Sequence, residues 1–198
     1  MNIDPLQTGL ALCVGISLAA ACGFRIFVPL LVMALGVRLC DLNIDPALSW
    51  VGSDIAITCL SVATVAEILA YYIPFVDNAL DTIAGPAALV AGAFITGGML
   101  GDLPEWLQWS TGIVAGAGVA GTVQLGTTAV RAASTGSSAG LGNPIVSTIE
   151  NILSTIGSLL AVFLPLLAAA GTVLLIFLTF FSLRKIRALI RKRKEAHA

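Results

Sequence analysis

The sequence predicts an all-α, polytopic transmembrane helix bundle of about six segments, with broken or re-entrant helices and a weak internal repeat. Three observations carry that prediction. Of the 198 residues 58% are hydrophobic and 11% charged, whereas a soluble domain runs nearer half and a quarter. Apolar runs of membrane-crossing length alternate with corners bearing Pro and Gly. Finally, the pattern of residues 66–81, AEILAYYIPFVDNALD, returns seventy positions later: Pro74, Val76, Asp77, Asn78 and Asp81 correspond to Pro144, Val146, Ser147, Thr148 and Asn151. In both copies a helix stops, Pro opens a corner, and a short polar side chain is placed to cap the next helix. Ser147 and Glu150 have the spacing of a capping box.

The first segment opens at Asn2-Ile3-Asp4-Pro5 and the third at Asn43-Ile44-Asp45-Pro46, each with Asp at the N-cap and Pro at the first helical position. From Pro5 to Cys22 the chain reaches about 27 Å as helix, close to the hydrocarbon thickness. No positive charge precedes this run, so residues 1–25 read as a retained span and not a signal peptide. Joined to residues 26–40 it would be too long for one span, so a break belongs between Gly23 and Pro29, with Arg25 in it. The third segment covers residues 46–73, with Trp50 as an interfacial anchor and Tyr71-Tyr72 as the opposite belt. Ser61, Thr64, Glu67 and Tyr71 form a polar stripe at helical spacing.

The fourth segment, residues 78–101, carries Ala84, Ala88, Gly92, Gly97 and Gly101, small residues that let helix backbones touch. A polar corner at residues 101–109 leads to the fifth segment, residues 110–134. Its five glycines place it in the middle of the bundle, with Gln124, Thr128 and Arg131 as a polar stripe. Residues 134–144 read as a loop, too polar for lipid and too glycine-rich for a helix. Residues 147–183 read as one long apolar stretch whose polar start lies at the interface or re-enters; the span proper is 158–183, kinked near Pro165. Seven of the ten basic residues lie in the last fifteen positions. The chain therefore divides into a transmembrane domain, 1–183, and a basic cytoplasmic tail, 184–198. Counting back through six spans also puts the N-terminus inside; with 26–40 re-entrant there are five.

Under this topology Arg25, Glu67, Asp77, Asp81, Gln124, Arg131 and Glu150 gather toward the outer half. Glu67 lies about 9 Å deep, and an ionised form there needs a partner or water, for which Arg25 and Arg131 are available. The bland readings are a buried ion pair bracing helices for Glu67 and Arg, and plain helix caps for Asp77 and Ser147.

GFRIFVPLL at 23–31, AEILAYYIPFVD at 66–77 and VRAASTGSSAGLGNPIVSTIEN at 130–151 resemble an uncharacterised family of small bacterial inner-membrane proteins, a domain of unknown function. The resemblance covers roughly residues 8–183. Its motifs fall here on Gly23, Arg25, Pro29, Glu67, Pro74, Asp77, Arg131, Gly142, Asn143 and Pro144. It implies a bacterial inner membrane and treats the Arg and Glu as one set, and brings no established activity.

No nucleophile with an adjacent base and no phosphate loop is present; the Gly116, Gly118, Gly121 spacing lies inside an apolar helix with no strand before it. Cys13, Cys22, Cys40 and Cys59 form no C-x-x-C, and His197 is the sole histidine, so neither a metal site nor a cofactor is expected. Nor is an enzyme, and outside the tail no basic surface suits nucleic acid. Broken helices with charges beside the breaks point to a small transporter or channel for an ion, polar solute or lipid headgroup. Its site would comprise Arg25, Glu67, Asp77, Asp81, Gln124, Arg131, Asn143 and Glu150. The alternative is a non-transporting scaffold or assembly factor whose tail recruits partners or anionic lipid. Membrane lipids are expected partners, and the close-packing faces of the fourth and fifth segments suggest a homodimer.

Overall fold

The computed structural model of the chain describes residues 4–73, 76–138 and 141–196. Pro74, Ala139, Gly140 and the side chains of the tail beyond Arg184 lie outside what is described. The protein is all-α, as its composition predicts.

Helix α1 (Pro5–Cys22) starts where expected, the Asp4 carboxylate accepting from the Leu6 amide at 3.0 Å. It ends at Gly23, where a Cβ would meet the Ala120 carbonyl oxygen at 2.7 Å, and α2 (Phe27–Leu39) follows. Arg25 lies in the break as predicted. Pro29, expected in the break, occupies the first turn of α2, where its missing N–H costs nothing. Asp45 caps a short 3₁₀ helix (Pro46–Gly52) by accepting from the Ala47 amide. Ser53 then caps α3 (Asp54–Ala70) through the Ala56 amide, and the two pieces meet at 62°. Residues 46–73 are thus not one helix: the Ser53 hydroxyl offers a second start, and the chain takes it.

Helix α4 (Val76–Met99) includes Pro86. Helix α5 (Glu105–Thr111), one stretch of π-helix (Gly112–Ala117) and α6 (Gly118–Ser138) follow one another without a gap. The polar corner is accordingly shorter than expected, and so is the loop at 134–144. Helix α6 continues to Ser138 and α7 (Asn143–Phe163) starts five residues on. Thr135 and Asn143 exchange side-chain hydrogen bonds across that corner, which draws the two helix ends together.

Residues 147–183 are two helices. Leu164 leaves the helical region (φ −137°, ψ 65°), as a residue before proline is pushed to do, and Pro165 opens α8 (Pro165–Ala196). Leu153 and Leu160 share a cleft with Leu167 and Leu175, so the chain reverses at this point where a kink was expected. The early polar part of α7 is therefore part of a span in its own right.

The middle of the bundle is held by α1, not by the glycine-rich fifth segment. Leu18, Ala19 and Cys22 have no exposure, and α1 touches α2, α4, α6, α7, α8 and the π stretch. The glycines do serve close approach: a Cβ on Gly92 would lie 2.6 Å from the Gly116 carbonyl oxygen, and one on Gly112 2.7 Å from that of Ala93. These faces of α4 and the π stretch are spent on each other within one chain, which removes the ground on which they suggested a homodimer.

Among the described residues five helices are long and apolar enough to cross a membrane, six where the bent 3₁₀–α3 pair is counted as one span, and α2 is shorter. Contacts fix the path. Helix α1 runs toward Arg25; α2 returns, Gly36 facing Val162. The 3₁₀ helix starts at that far end, where the Asp45 amide donates to the Gly98 carbonyl, and α3 climbs back to Glu67. Helix α4 descends, α5–α6 ascend to Arg131, α7 descends, and α8 ascends past Gly126, which faces Thr179. The path has seven passages, so the chain ends lie at opposite ends of the bundle. The count of about six candidate spans stands, but its membership changes: α7 and α8, expected as one span, are separate, and with α2 as a further, shorter passage the two termini no longer share a side. The Arg25 end is also the end from which the tail leaves, so charge cluster and tail are not on opposite sides.

Candidate functional site

Three helix-to-helix corners meet at the tail end: α1–α2, α3–α4 and α6–α7. The first contributes Arg25, 1% exposed. Its Nη1 lies 3.1 Å from Glu150 Oε2 and also donates to the Phe24 carbonyl. Its Nη2 donates to the Ser147 carbonyl at 3.2 Å, and its Nε donates to Asn151 Oδ1. The third corner contributes Arg131, 3% exposed. Its Nε donates to Glu150 Oε1 at 3.1 Å and its Nη2 donates to Glu150 Oε2 and the Ser147 hydroxyl. Glu150 is therefore gripped side-on by one guanidinium and touched by the other, a planar match that only Arg makes.

The second corner contributes Tyr71, Asp77 and Asp81. Both guanidinium carbons lie over the Tyr71 ring, at 3.9 and 4.4 Å from its centroid, a cation–π arrangement that desolvation strengthens. Asp77 Oδ2 accepts from Asn143 Nδ2 at 3.1 Å and stands 3.9 Å from Arg131 Nη1; Asp81 Oδ1 stands 3.8 Å from Arg131 Nε. Asn151 also donates to the Tyr72 hydroxyl at 3.4 Å, and that hydroxyl meets the Thr148 hydroxyl at 2.9 Å.

Of the eight predicted site residues, Arg25, Asp77, Asp81, Arg131, Asn143 and Glu150 are brought together. Glu67 is beside them but serves otherwise. Its Oε1 accepts from the Ile26 amide at 2.8 Å and its Oε2 from the Phe27 amide at 3.0 Å. Those are orphan donors at the start of α2, where a carboxylate is favoured by both hydrogen bonding and the helix dipole. Among the described residues no Arg pairs with Glu67, so the expected Glu67–Arg pair is replaced by a tertiary helix cap. Gln124 is buried on the α6 face two turns below Arg131 and joins none of these bonds among the described residues.

Other local readings change too. Ser147 and Glu150 do not form a capping box, because α7 begins at Asn143 and both are already inside it, facing the arginines. Asp77 lies one residue inside α4 and its carboxylate is turned to Asn143 and Arg131. The buried hydroxyl on α6 is Thr127, which bonds the Gly23 and Gln124 carbonyls; Thr128 is exposed. Tyr71 is 5% exposed and lies under the arginines, leaving Tyr72 as the interfacial tyrosine. The signal that could have found Tyr71 and the α7 face was already present: Tyr71 ends the Thr64–Glu67 stripe, and Ser147, Glu150, Ser154 and Ser158 repeat at helical spacing.

A cleft borders this cluster. Helix α3 packs on α2 and the 3₁₀ helix but stands off from α4, leaving two apolar lobes of about 680 and 440 Å³ that share Ile26, Ile83 and Ala87. The larger lobe passes Trp50, Cys59 and Phe94; the smaller passes Ala63 and Ala66 and ends at Glu67 and Tyr71. Among the described residues no group of three or more His, Cys, Asp or Glu is arranged to hold a metal ion.

The fold and this cluster define a polytopic membrane protein with a buried Arg–carboxylate network where helix breaks converge. Residues 12–185 match the family described as a domain of unknown function (DUF4126), and the chain belongs to that family. No curated protein and no solved structure matches the chain.

Proposed function

We propose that the protein is a small membrane transporter whose cargo is an amphipathic molecule, its apolar chain lying in the α3–α4 cleft and its polar end at the acidic corner beyond Glu67. The observation that carries this reading is the cleft, whose lobes fall within the size of ordinary ligand pockets, whose walls are apolar, and whose inner end meets the cluster. A small free ion suits it less well, because the two arginines are occupied by Glu150 in a space without exposure. With the basic tail on the cytoplasmic side, the cluster lies in the cytoplasmic half and the N-terminus outside. A bacterial inner membrane and the absence of a cofactor, nucleic acid or enzymatic chemistry belong to the same proposal.

The test is transbilayer movement of a fluorescent phosphatidylethanolamine in vesicles of phosphatidylethanolamine and phosphatidylglycerol holding the purified protein. Movement faster than in empty vesicles, lost in Ala87→Trp, which sets an indole where the two lobes join, is the expected result. Equal rates with and without protein overturn it. The scaffold reading is favoured by one observation, the closed Arg25–Glu150–Arg131 brace; it predicts that deleting residues 186–198 removes function while Ala87→Trp is tolerated.

A further inference from the structure

Helices α3 and α4 run antiparallel, and the two lobes between them lie in file, not side by side. The smaller is walled by Ala63 to Tyr71 and by Leu80 to Ala87; the larger is walled by Ala56 to Leu60 and by Ile83 to Phe94. From Ala56 to Ala70 and from Leu80 to Phe94 each wall is about 21 Å long at about 1.5 Å per residue. One leaflet of the hydrocarbon core is about 15 Å deep, so the trough passes the mid-plane.

The side chains along the walls point to a slender occupant. On the trough side α3 carries Ala56, Cys59, Ala63 and Ala66, while its bulky Val62, Val65 and Leu69 face outward. In lipid, small residues on a helix face let two backbones touch. Here they border open space instead, and a larger residue at any of them would narrow it. Glu67 and Tyr71 mark one end of the trough and Trp50 the other, with Ile26, Ile83 and Ala87 as the waist shared by both lobes. Ile83 and Val90 are exposed along the rim, which leaves the trough open sideways to a lipid chain.

We propose that the cleft seats one apolar chain at full length, from Glu67 and Tyr71 to Trp50 and Phe94, and favours cargo whose chain is long enough to fill both lobes. The lobes follow one another, so a second chain is not seated beside the first, and a two-chain lipid leaves its other chain in the bilayer. A chain that stops short of the waist leaves the larger lobe to ordinary lipid and gains nothing from it. Ala87, at the waist, decides how far a chain reaches. The inference rests on the cleft as the seat of the cargo's apolar part, and adds chain length as the property selected.

Photolabelling of the full chain in vesicles of phosphatidylethanolamine and phosphatidylglycerol tests it. The probes are octanol, dodecanol and hexadecanol, each with a diazirine at the carbon farthest from the hydroxyl. Label at Phe94 is compared with label at Ile113, which is exposed to lipid at the same depth because Gly112 packs on Ala93. The ratio of Phe94 to Ile113 label is expected to rise severalfold from octanol to hexadecanol, and to fall back to the octanol value in Ala87→Trp. A wild-type ratio that is the same for all the alcohols, the result that ordinary lipid contact gives, overturns the proposal whether or not the variant folds. So does a ratio that stays high in folded Ala87→Trp. Because labelling needs no transbilayer movement, a protein that shows the rising ratio and moves no lipid refutes the transport reading alone.

Discussion

Helices α1 and α3 are nearly equal in length, 18 and 17 residues, and both are apolar, yet they belong to the molecule in different ways. Helix α1 buries a continuous run from Leu18 to Cys22, small enough to meet six other elements. Helix α3 buries only Ala56, Thr64 and Glu67, and turns Val62, Val65 and Leu69 outward. In lipid, exposed apolar surface gives no drive toward packing. Helix α1 is therefore held by close fit, whereas α3 is held by what it bonds: the Glu67 carboxylate on the α2 amides, and its packing on α2 and the 3₁₀ helix. The comparison separates a fixed core, braced by Arg25, Glu150 and Arg131, from a peripheral helix beside an open cleft.

The largest effect is expected in the brace. Glu150→Ala leaves two buried guanidinium groups without their shared carboxylate, and removing one partner of a buried ion pair costs roughly 3–5 kcal/mol. Little folded protein should survive size-exclusion chromatography in detergent, with Glu150→Gln recovering part of it through the hydrogen bonds it keeps. A fully stable Glu150→Ala protein would mean that the arginines do not brace the core.

Glu67→Gln is the intermediate case. The amide retains one oxygen and can accept from one of the two α2 amides, so the loss is about 1 kcal/mol, the scale of a helix cap. Hydrogen exchange should accelerate at Ile26, Phe27 and along α3 while α1 stays protected. Equal acceleration in α1 would erase the distinction between the two helices.

That distinction was only partly legible in the sequence. The limits of α1 were, because Asp4-Pro5 and Gly23 are local signals that no distant residue overrides. So was the break that carries Arg25. The partner of Glu67 was not: the Ile26 and Phe27 amides lie about forty positions away, and backbone donors leave no mark on a sequence, so an intramembrane carboxylate points to arginine by default. Ser147 and Glu150 failed for a different reason. Spacing of three residues is shared by a capping box and by one face of a helix, and only the continuation through Ser154 and Ser158 favours the second. Pro165 was ambiguous in the same way, since a kink and a reversal both begin with a residue forced out of the helical region. The lengths on either side settle it: α7 alone is 21 residues, long and apolar enough to span a membrane.

The smallest effect belongs to the other end of α3. Arg38 and Asp54 form an ion pair at 3.2 Å, but their side chains are 54% and 86% exposed, and such pairs contribute about 0–1 kcal/mol. Asp54 also lies in the first turn of α3, where the helix dipole adds a similarly small and salt-screened amount. Asp54→Asn should therefore leave thermal stability within error. Ser53→Ala, which removes the cap on the Ala56 amide, should cost more and show as faster exchange confined to the first turn of α3. If Asp54→Asn instead loosens the whole of α3 as far as Glu67→Gln does, the helix is anchored from its start, and the Glu67 cap is not what keeps it beside the cleft.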